Sequence, residues 1–332
     1  MLEHGGRLRQ ASHDYGIPLE SWVDLSTGIN PDAYPVPPID PVAWLRLPED
    51  NDGLEAAAAA YYGNPRLLAL SGSQAAIQSL PKLFKPMVLA CVSPLYEEHP
   101  HAWETAGHRL RRLPSLARAV SVVTPAVLLC NPNNPTADCQ PKEVILDAAA
   151  QLRRRGGWLI VDEAFADAEP ENTVAALAGS EEAPNMIVLR SLGKFFGLAG
   201  ARVGFVFGAA EKLDPLREML GPWAIAHPAR VVARAALADT AWQAAARMRL
   251  ISASQRLADL LAPLGTVRRT ALFCTVGGSD SPLAASALAG HFARRGILVR
   301  RFDAHGLVRF GLPGRDEEWQ RLTAAVAEWS SS

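Results

Sequence analysis

The sequence is short of lysine: only five of its 33 basic side chains, at positions 82, 85, 142, 194 and 212, are lysine, and the rest are arginine. It is also short of net charge. The 33 basic groups face 34 acidic ones, for a net charge of -1. That balance excludes a general nucleic-acid binder and a polybasic membrane surface. No apolar run reaches the roughly 18 residues of a membrane-spanning helix, and the mean hydropathy is only +0.04. The opening Met1-Leu2-Glu3-His4-Gly5-Gly6-Arg7 has no apolar export core. Cysteine is scarce too, with four residues at 91, 130, 139 and 274. None forms a Cys-x-x-Cys pair or stands with histidine at ligand spacing, so no metal is expected. The thiols are expected to be reduced and the chain cytoplasmic. Cys91 and Cys130 close apolar runs and read first as small buried side chains rather than as nucleophiles.

What is present is apolar material. Hydrophobic residues make up 49% of 332 positions, which excludes a largely disordered chain and suits about two domains. Residues 1–50 are weakly periodic and read as an arm or loops. Beyond them, short apolar runs alternate with helical patterns. The runs are Leu67–Leu70, Met87–Val92, Val127–Cys130, Trp158–Val161, Met186–Leu189 and Val203–Phe207. Helices are expected over Leu54–Tyr62, Ser73–Phe84 and Lys142–Arg154. This alternation predicts an α/β fold with a mainly parallel sheet buried on both faces. From residue 227 the pattern changes. One or two helices are expected from His227 to Leu261, strands at Leu272–Val276, Ile297–Val299 and Leu307–Phe310, and helices at Pro282–Arg295 and Arg315–Trp329. The expected organisation is an arm over 1–45 that joins the small domain, a large domain over 46–215 and a smaller α+β domain over 216–332.

Ligands of such sheets sit at the carboxyl ends of the strands, so the polar segments after each run matter. Lys194, in Ser191-Leu192-Gly193-Lys194, is the lysine not placed on or beside a helix. Such a lysine suits covalent chemistry with a carbonyl, and it also suits an ordinary glycine-rich turn. Asp162 ends the run Trp158–Val161 and needs a cationic partner there, either an arginine or a protonated ring nitrogen. Glu163 doubles the acidic charge, which argues against a purely structural pair. Asn131-Pro132-Asn133-Asn134-Pro135 is a rigid turn presenting amides. Gly72-Ser73-Gln74 opens a helix, where free N–H groups and a hydroxyl suit a phosphate or an ordinary cap. Tyr96 could stack on a planar ring or serve as a loop aromatic.

In this order, the phosphate turn, the aromatic, the Asn-Pro turn, Asp-Glu-Ala and Ser-x-Gly-Lys followed by Arg202 resemble the fold-type I pyridoxal-phosphate enzymes over residues 20–312. The resemblance implies pyridoxal 5'-phosphate as cofactor and a large domain with a mainly parallel sheet flanked by helices. In it, Lys194 matches the lysine that holds the cofactor covalently. Asp162 matches the carboxylate that keeps the ring nitrogen protonated, His99 a histidine behind it, and Asn134 the amide on the ring oxygen. Tyr96 matches the stacking aromatic. Gly72, Ser73, Gln74, Ser191 and Arg202 match the phosphate cup. Arg309 matches the arginine that clamps the substrate carboxylate. Two positions depart from the pattern. Phe165 stands where many relatives carry a tyrosine on the ring oxygen, and Leu47 where many lend a tyrosine to a partner subunit.

Within that family the spacing resembles the histidinol-phosphate aminotransferases and the related threonine-phosphate decarboxylases of cobalamin biosynthesis. His4-Gly5-Gly6 and Asp24-Leu25-Ser26-Thr27-Gly28-Ile29-Asn30-Pro31 are similar to the decarboxylase opening. Gly28 stands where some decarboxylases carry asparagine, leaving that contact to backbone or to Asn30. Arg300 matches a second substrate arginine, although it could equally be a surface charge. What this implies is decarboxylation of L-threonine O-3-phosphate to (R)-1-aminopropan-2-yl phosphate and CO2. Lys194 and Asp162 would be catalytic, and His4, Gly5, Gly28, Asn30, Arg300 and Arg309 would hold the substrate, a phosphorylated amino acid. A homodimer is implied. Transamination of the histidinol-phosphate type is the alternative, followed by a non-catalytic cofactor-binding protein. A cofactor-sensing transcription regulator would need a DNA-binding module ahead of the core, for which only about 50 residues are available.

Overall fold

A computed structural model describes residues 4–277 and 285–330. Among the described residues, twelve strands form two sheets: β1 (Val23–Leu25), β2 (Leu67–Leu70), β3 (Val88–Val92), β4 (Arg109–Leu113), β5 (Ala126–Cys130), β6 (Trp158–Asp162), β7 (Met186–Ser191), β8 (Gly204–Phe207), β9 (Val267–Thr270), β10 (Phe273–Gly277), β11 (Ile297–Phe302) and β12 (Leu307–Gly311). The chain divides into two compact units. The larger comprises Ala33–Asn134 and Cys139–Ala244, and the smaller Met1–Asp32, Pro135–Asp138 and Ala245–Ser332.

The sheet of the larger unit has the order β2-β8-β7-β6-β5-β3-β4. From β7 to β4 all neighbours are parallel. β8 runs antiparallel to both β2 and β7, so β2 points the same way as β7. Helices cover it: Ser73–Ser79 packs on β7 and β8, Leu116–Ser121 on β3 and β5, and Lys142–Arg153 on β6. Burial on both faces explains the uninterrupted apolar spelling of the central strands, and β5 is buried at every position. The expected mainly parallel, helix-flanked α/β sheet is what forms.

Two local departures from the expected elements, and the choice between one helix and two after His227, have simple causes. Helix Ser73–Ser79 gives way to a 3-10 turn at Leu80–Leu83, because Pro81 has no N–H to continue the ladder. The stretch from His227 breaks into His227–Ala238 and Thr240–Leu261, and Asp239 Oδ1 accepts from the Trp242 N–H at the break. β4 reads Arg-Leu-Arg-Arg-Leu and lies at the sheet edge, where basic side chains guard an open ladder. The helix expected at Pro282–Arg295 is seen over Ala285–Ala293; positions 282–284 lie outside the described residues.

The sheet of the smaller unit has the order β1-β11-β12-β10-β9. β1, from the N-terminal segment, pairs in parallel with β11, and the remaining pairs are antiparallel.

Candidate active site

The topology gathers the sequence candidates of the larger unit at one edge of its sheet. β2, β7, β6, β5 and β3 all end there, and β8 begins there. Register sets the neighbours. Gly204 pairs with Leu70 on one side and Ser191 on the other, and Asp162 pairs with Cys130 and Leu189. Read across the edge, the order is Gly72–Gln74, Arg202, Ser191 with Lys194, Asp162 with Phe165, Asn134, then Tyr96. Residues scattered over 130 positions of sequence thus share one line.

At one end lies a cup of backbone, hydroxyl and guanidinium. Gly72 precedes helix Ser73–Ser79 with φ +74°, a conformation that favours glycine. A Cβ there would stand 2.8 Å from Arg202 Nη2, so the guanidinium lies against the bare glycine. Gly204 is held to glycine by contact alone: its Cβ would come 2.5 Å from the Ser73 nitrogen. Arg202 itself adopts φ +53° and donates to the Ala199 carbonyl at 3.1 Å. The Ser191 hydroxyl accepts from the Gly193 N–H at 3.3 Å. The Gln74 side chain donates to Glu98 at 2.6 Å.

Next comes Lys194, half-buried, its Nζ 5.4 Å from the centre of the Phe165 ring. Beyond it Asp162 is buried. Its Oδ2 meets His99 Nε2 at 2.7 Å and its Oδ1 accepts from the Ala164 N–H at 2.9 Å. The protein partner of Asp162 is therefore His99, as the family resemblance implied, and not the arginine that the strand end alone also allowed. The Tyr96 ring stands edge-on to His99, with centroids 6.3 Å apart. The Cys130 thiol lies close enough to His99 and Asp162 that all three ligand atoms fall within 4.8 Å of one another. Burial, and then the Asp162 carboxylate, push that thiol well above its ordinary range, so it stays protonated.

Glu163 corrects the sequence reading. It adds no charge beside Asp162 but turns into a separate buried network. Arg190 Nη1 donates to Glu163 Oε2 at 2.7 Å, and the other guanidinium nitrogen donates to Asp167. The Val174 N–H reaches Glu163 Oε1 at 2.7 Å, and the Thr173 hydroxyl donates to Oε2. Burial pushes the Glu163 carboxyl up, with Arg190 opposing. Burial also works against the Arg190 charge, which Asp167 and Glu163 more than restore. Sequence reasoning missed Arg190, which sits one step past an apolar run.

The substrate candidates lie in the smaller unit. Arg309 is buried on β12, its Nη2 donating to the Ser26 carbonyl at 2.7 Å, and its guanidinium lies over Phe273 and Phe302. Arg300, directly opposite on β11, also lies over Phe302. Gly5 packs on the same Ser26 carbonyl, which a Cβ would approach to 2.4 Å, and the Gly6 N–H donates to the Ser26 hydroxyl at 2.7 Å. The turn is thereby folded onto β1, with exposed His4 next to it. Asn30 is buried, its side-chain oxygen accepting from the Asp32 N–H at 3.0 Å, and Gly28 is buried beside it in sequence. Ser26 and Phe302 were not singled out from the sequence, since a serine in a turn and a phenylalanine in a strand carry no chemical signal alone.

Residues 47–328 match the family model described as aminotransferase class I and II. The chain belongs to that family. Its cofactor, in consequence, is pyridoxal phosphate, and the donor set fits that group. A glycine-floored cup offers N–H, hydroxyl and guanidinium for a phosphate, an amine stands next, and a buried carboxylate backed by histidine suits a ring cation. Among family members, the chain is 49% identical to the threonine-phosphate decarboxylase of Pseudomonas aeruginosa, over 98% of this chain and 97% of that one. It is 38% identical to the threonine-phosphate decarboxylase of a Sinorhizobium species, over 98% of each. The crystal structure of histidinol-phosphate aminotransferase from Sinorhizobium meliloti, in complex with pyridoxal-5'-phosphate, superposes with a TM-score of 0.82 at 20% identity, covering 100% of this chain and 98% of that one, which speaks to the fold.

Proposed function

We infer that the protein is a pyridoxal-phosphate-dependent carboxy-lyase that converts L-threonine O-3-phosphate to (R)-1-aminopropan-2-yl phosphate and CO2. One observation carries this reading: the similarity to two threonine-phosphate decarboxylases runs along essentially the whole chain. The smaller unit supports the substrate class. Two arginines placed directly opposite on adjacent strands repel each other, and a ligand with both a carboxylate and a phosphate relieves that cost.

The residues take the following roles. Gly72, Ser73, Gln74, Ser191 and Arg202 hold the cofactor phosphate, through backbone N–H groups, hydroxyls and one guanidinium. Asp162, steadied by His99, would keep the proton on the ring nitrogen; Asn134 would bond the ring oxygen and Tyr96 would cover the ring face. Bound there, pyridoxal phosphate supplies an electron sink for the pair left when a bond to the substrate Cα breaks. Arg309 binds the carboxylate, while Arg300, with the His4–Gly5 turn, Gly28 and Asn30, receives the phosphate end. These contacts decide which Cα bond is presented for cleavage. After CO2 leaves, the Lys194 amine is the proton carrier at Cα. In transamination the same amine would remove the Cα proton, so the runner-up activity uses the same group in the opposite sense. Incubating the loaded enzyme with L-threonine O-3-phosphate is expected to release one CO2 per substrate without consuming a 2-oxo acid. Glutamate-dependent conversion of histidinol phosphate with no CO2 would overturn the assignment.

We also take the chain to act as a homodimer. Trp44, Leu45 and Leu47 are 69%, 82% and 63% exposed within one short stretch, a patch that favours burial against a second copy. Unpaired thiols support a cytoplasmic setting, and among the described residues no helix is long and apolar enough to cross a membrane.

A further inference from the structure

We infer that the hydroxyl of Thr275 is a positioning group: it ties the strand paired with the one bearing the substrate arginine to the turn bearing the cofactor amide. The inference rests on the roles given above to Arg309 and Asn134. Thr275 lies on β10 and is the direct antiparallel partner of Arg309 on β12. Its Oγ1 donates to the carbonyl of Pro135 at 2.6 Å, a buried bond across 140 positions of sequence. Pro135 follows Asn134 directly. The chain passes between its two units at that peptide bond, and Pro135 belongs with Thr275 to the smaller one. On the other side of Asn134, the Asn133 side-chain N–H group donates to the Pro94 carbonyl at 2.8 Å. Asn134 is therefore pinned by its two neighbours in sequence, one on each unit.

The residue type singles out the hydroxyl. Phe273, Cys274, Thr275 and Val276 are all buried, and a valine would fill the same volume with equal preference for a strand. Only the hydroxyl distinguishes threonine there, and its proton goes to Pro135. A hydrogen bond placed one residue from Asn134 and directly across from Arg309 gives the two ligand-holding groups one mechanical reference. Loss of the hydroxyl would therefore loosen the main chain beside Asn134 and the ladder beside Arg309, each in its own surroundings, and productive alignment depends on both.

The experiment compares loaded wild-type enzyme with Thr275→Val and Thr275→Ser. Four quantities are measured: the melting temperature, the pH midpoint of the cofactor's visible band without substrate, and KM and kcat for L-threonine O-3-phosphate. Thr275→Val is expected to raise KM roughly five- to tenfold, the scale of one neutral buried hydrogen bond. It is also expected to move the band's midpoint upward by at least about half a pH unit, as Asn134 loses its hold on the ring oxygen. Thr275→Ser should restore both to within about twofold of wild type. A melting temperature that falls while KM and midpoint stay at wild-type values overturns the inference, as does a serine variant that behaves like valine. Should the valine variant not fold, Thr275→Ala is measured in the same way. Arg309→Lys separates the two levels. An unchanged KM there refutes the role given to Arg309, whereas a raised KM beside a silent Thr275→Val refutes only the role given to Thr275.

Discussion

Asp162 and Glu163 are consecutive residues at the end of β6, yet their carboxylates enter opposite kinds of surroundings. The Asp162 carboxylate meets one side chain, His99, and takes a single backbone N–H on its other oxygen. Glu163 is consumed: its oxygens take a backbone N–H, a hydroxyl and a guanidinium. In the role proposed for Asp162, one side of the strand end keeps a carboxylate for a ligand. The other spends its carboxylate on holding β6, β7 and the 167–174 turn in place. Acidic residues of the same type, one position apart, divide into chemistry and support because the pleat sends successive side chains to opposite faces.

The largest effect is expected from removing the centre of the supporting side. Arg190→Met leaves two buried carboxylates without their guanidinium and should cost about 3–5 kcal/mol, read as a lowered urea midpoint and melting temperature. Asp162→Asn should reverse the emphasis. The rate of CO2 release is expected to fall at least about 100-fold, or about 2.7 kcal/mol of barrier, with stability much closer to wild type than in Arg190→Met. If both variants lose stability alike and keep their activity alike, the division is wrong. The smallest effect belongs to Glu163→Gln, about 1 kcal/mol, because Arg190 keeps its pair with Asp167. Its pH dependence has a definite sign. The folded Glu163 carboxyl is raised above 4.5 by burial, so its contribution is fully present below that value and is lost as pH rises through the raised one. The glutamine variant does not titrate, so it should gain on wild type in urea midpoint as pH rises above 4.5.

The fold, and the gathering of the candidate residues at one sheet edge, were legible because buried parallel strands are spelled as unbroken apolar words. The candidate residues come after such words, as Asp162 follows Trp158–Val161 and Lys194 follows the run ending at Leu189. The elements that stayed hidden lack that spelling. β4 is an arginine-bearing edge, and helix Leu8–Tyr15 has one buried residue, Ala11. Adjacency was legible but face was not, hence the misreading of Glu163 as a second charge at the site. The crossing of the chain at Ala244–Ala245 left no trace in composition because it falls inside the continuous helix Thr240–Leu261. Thr275 was equally silent: a lone threonine in a strand acquires meaning only once Pro135 is seen across from it.

The pairing of Gly204 with both Leu70 and Ser191 makes the cup a graduated scale. Rungs of a sheet stand about 4.8 Å apart and residues along each rung advance by about 3.3 Å, with the side chain reversing at every step. The gap between anion seat and amine can be retuned only in whole increments, so a one-residue insertion in β8 would swing Arg202 away altogether. Fine adjustment must come from rotamers, and variation among such proteins should accumulate where no rung is counted.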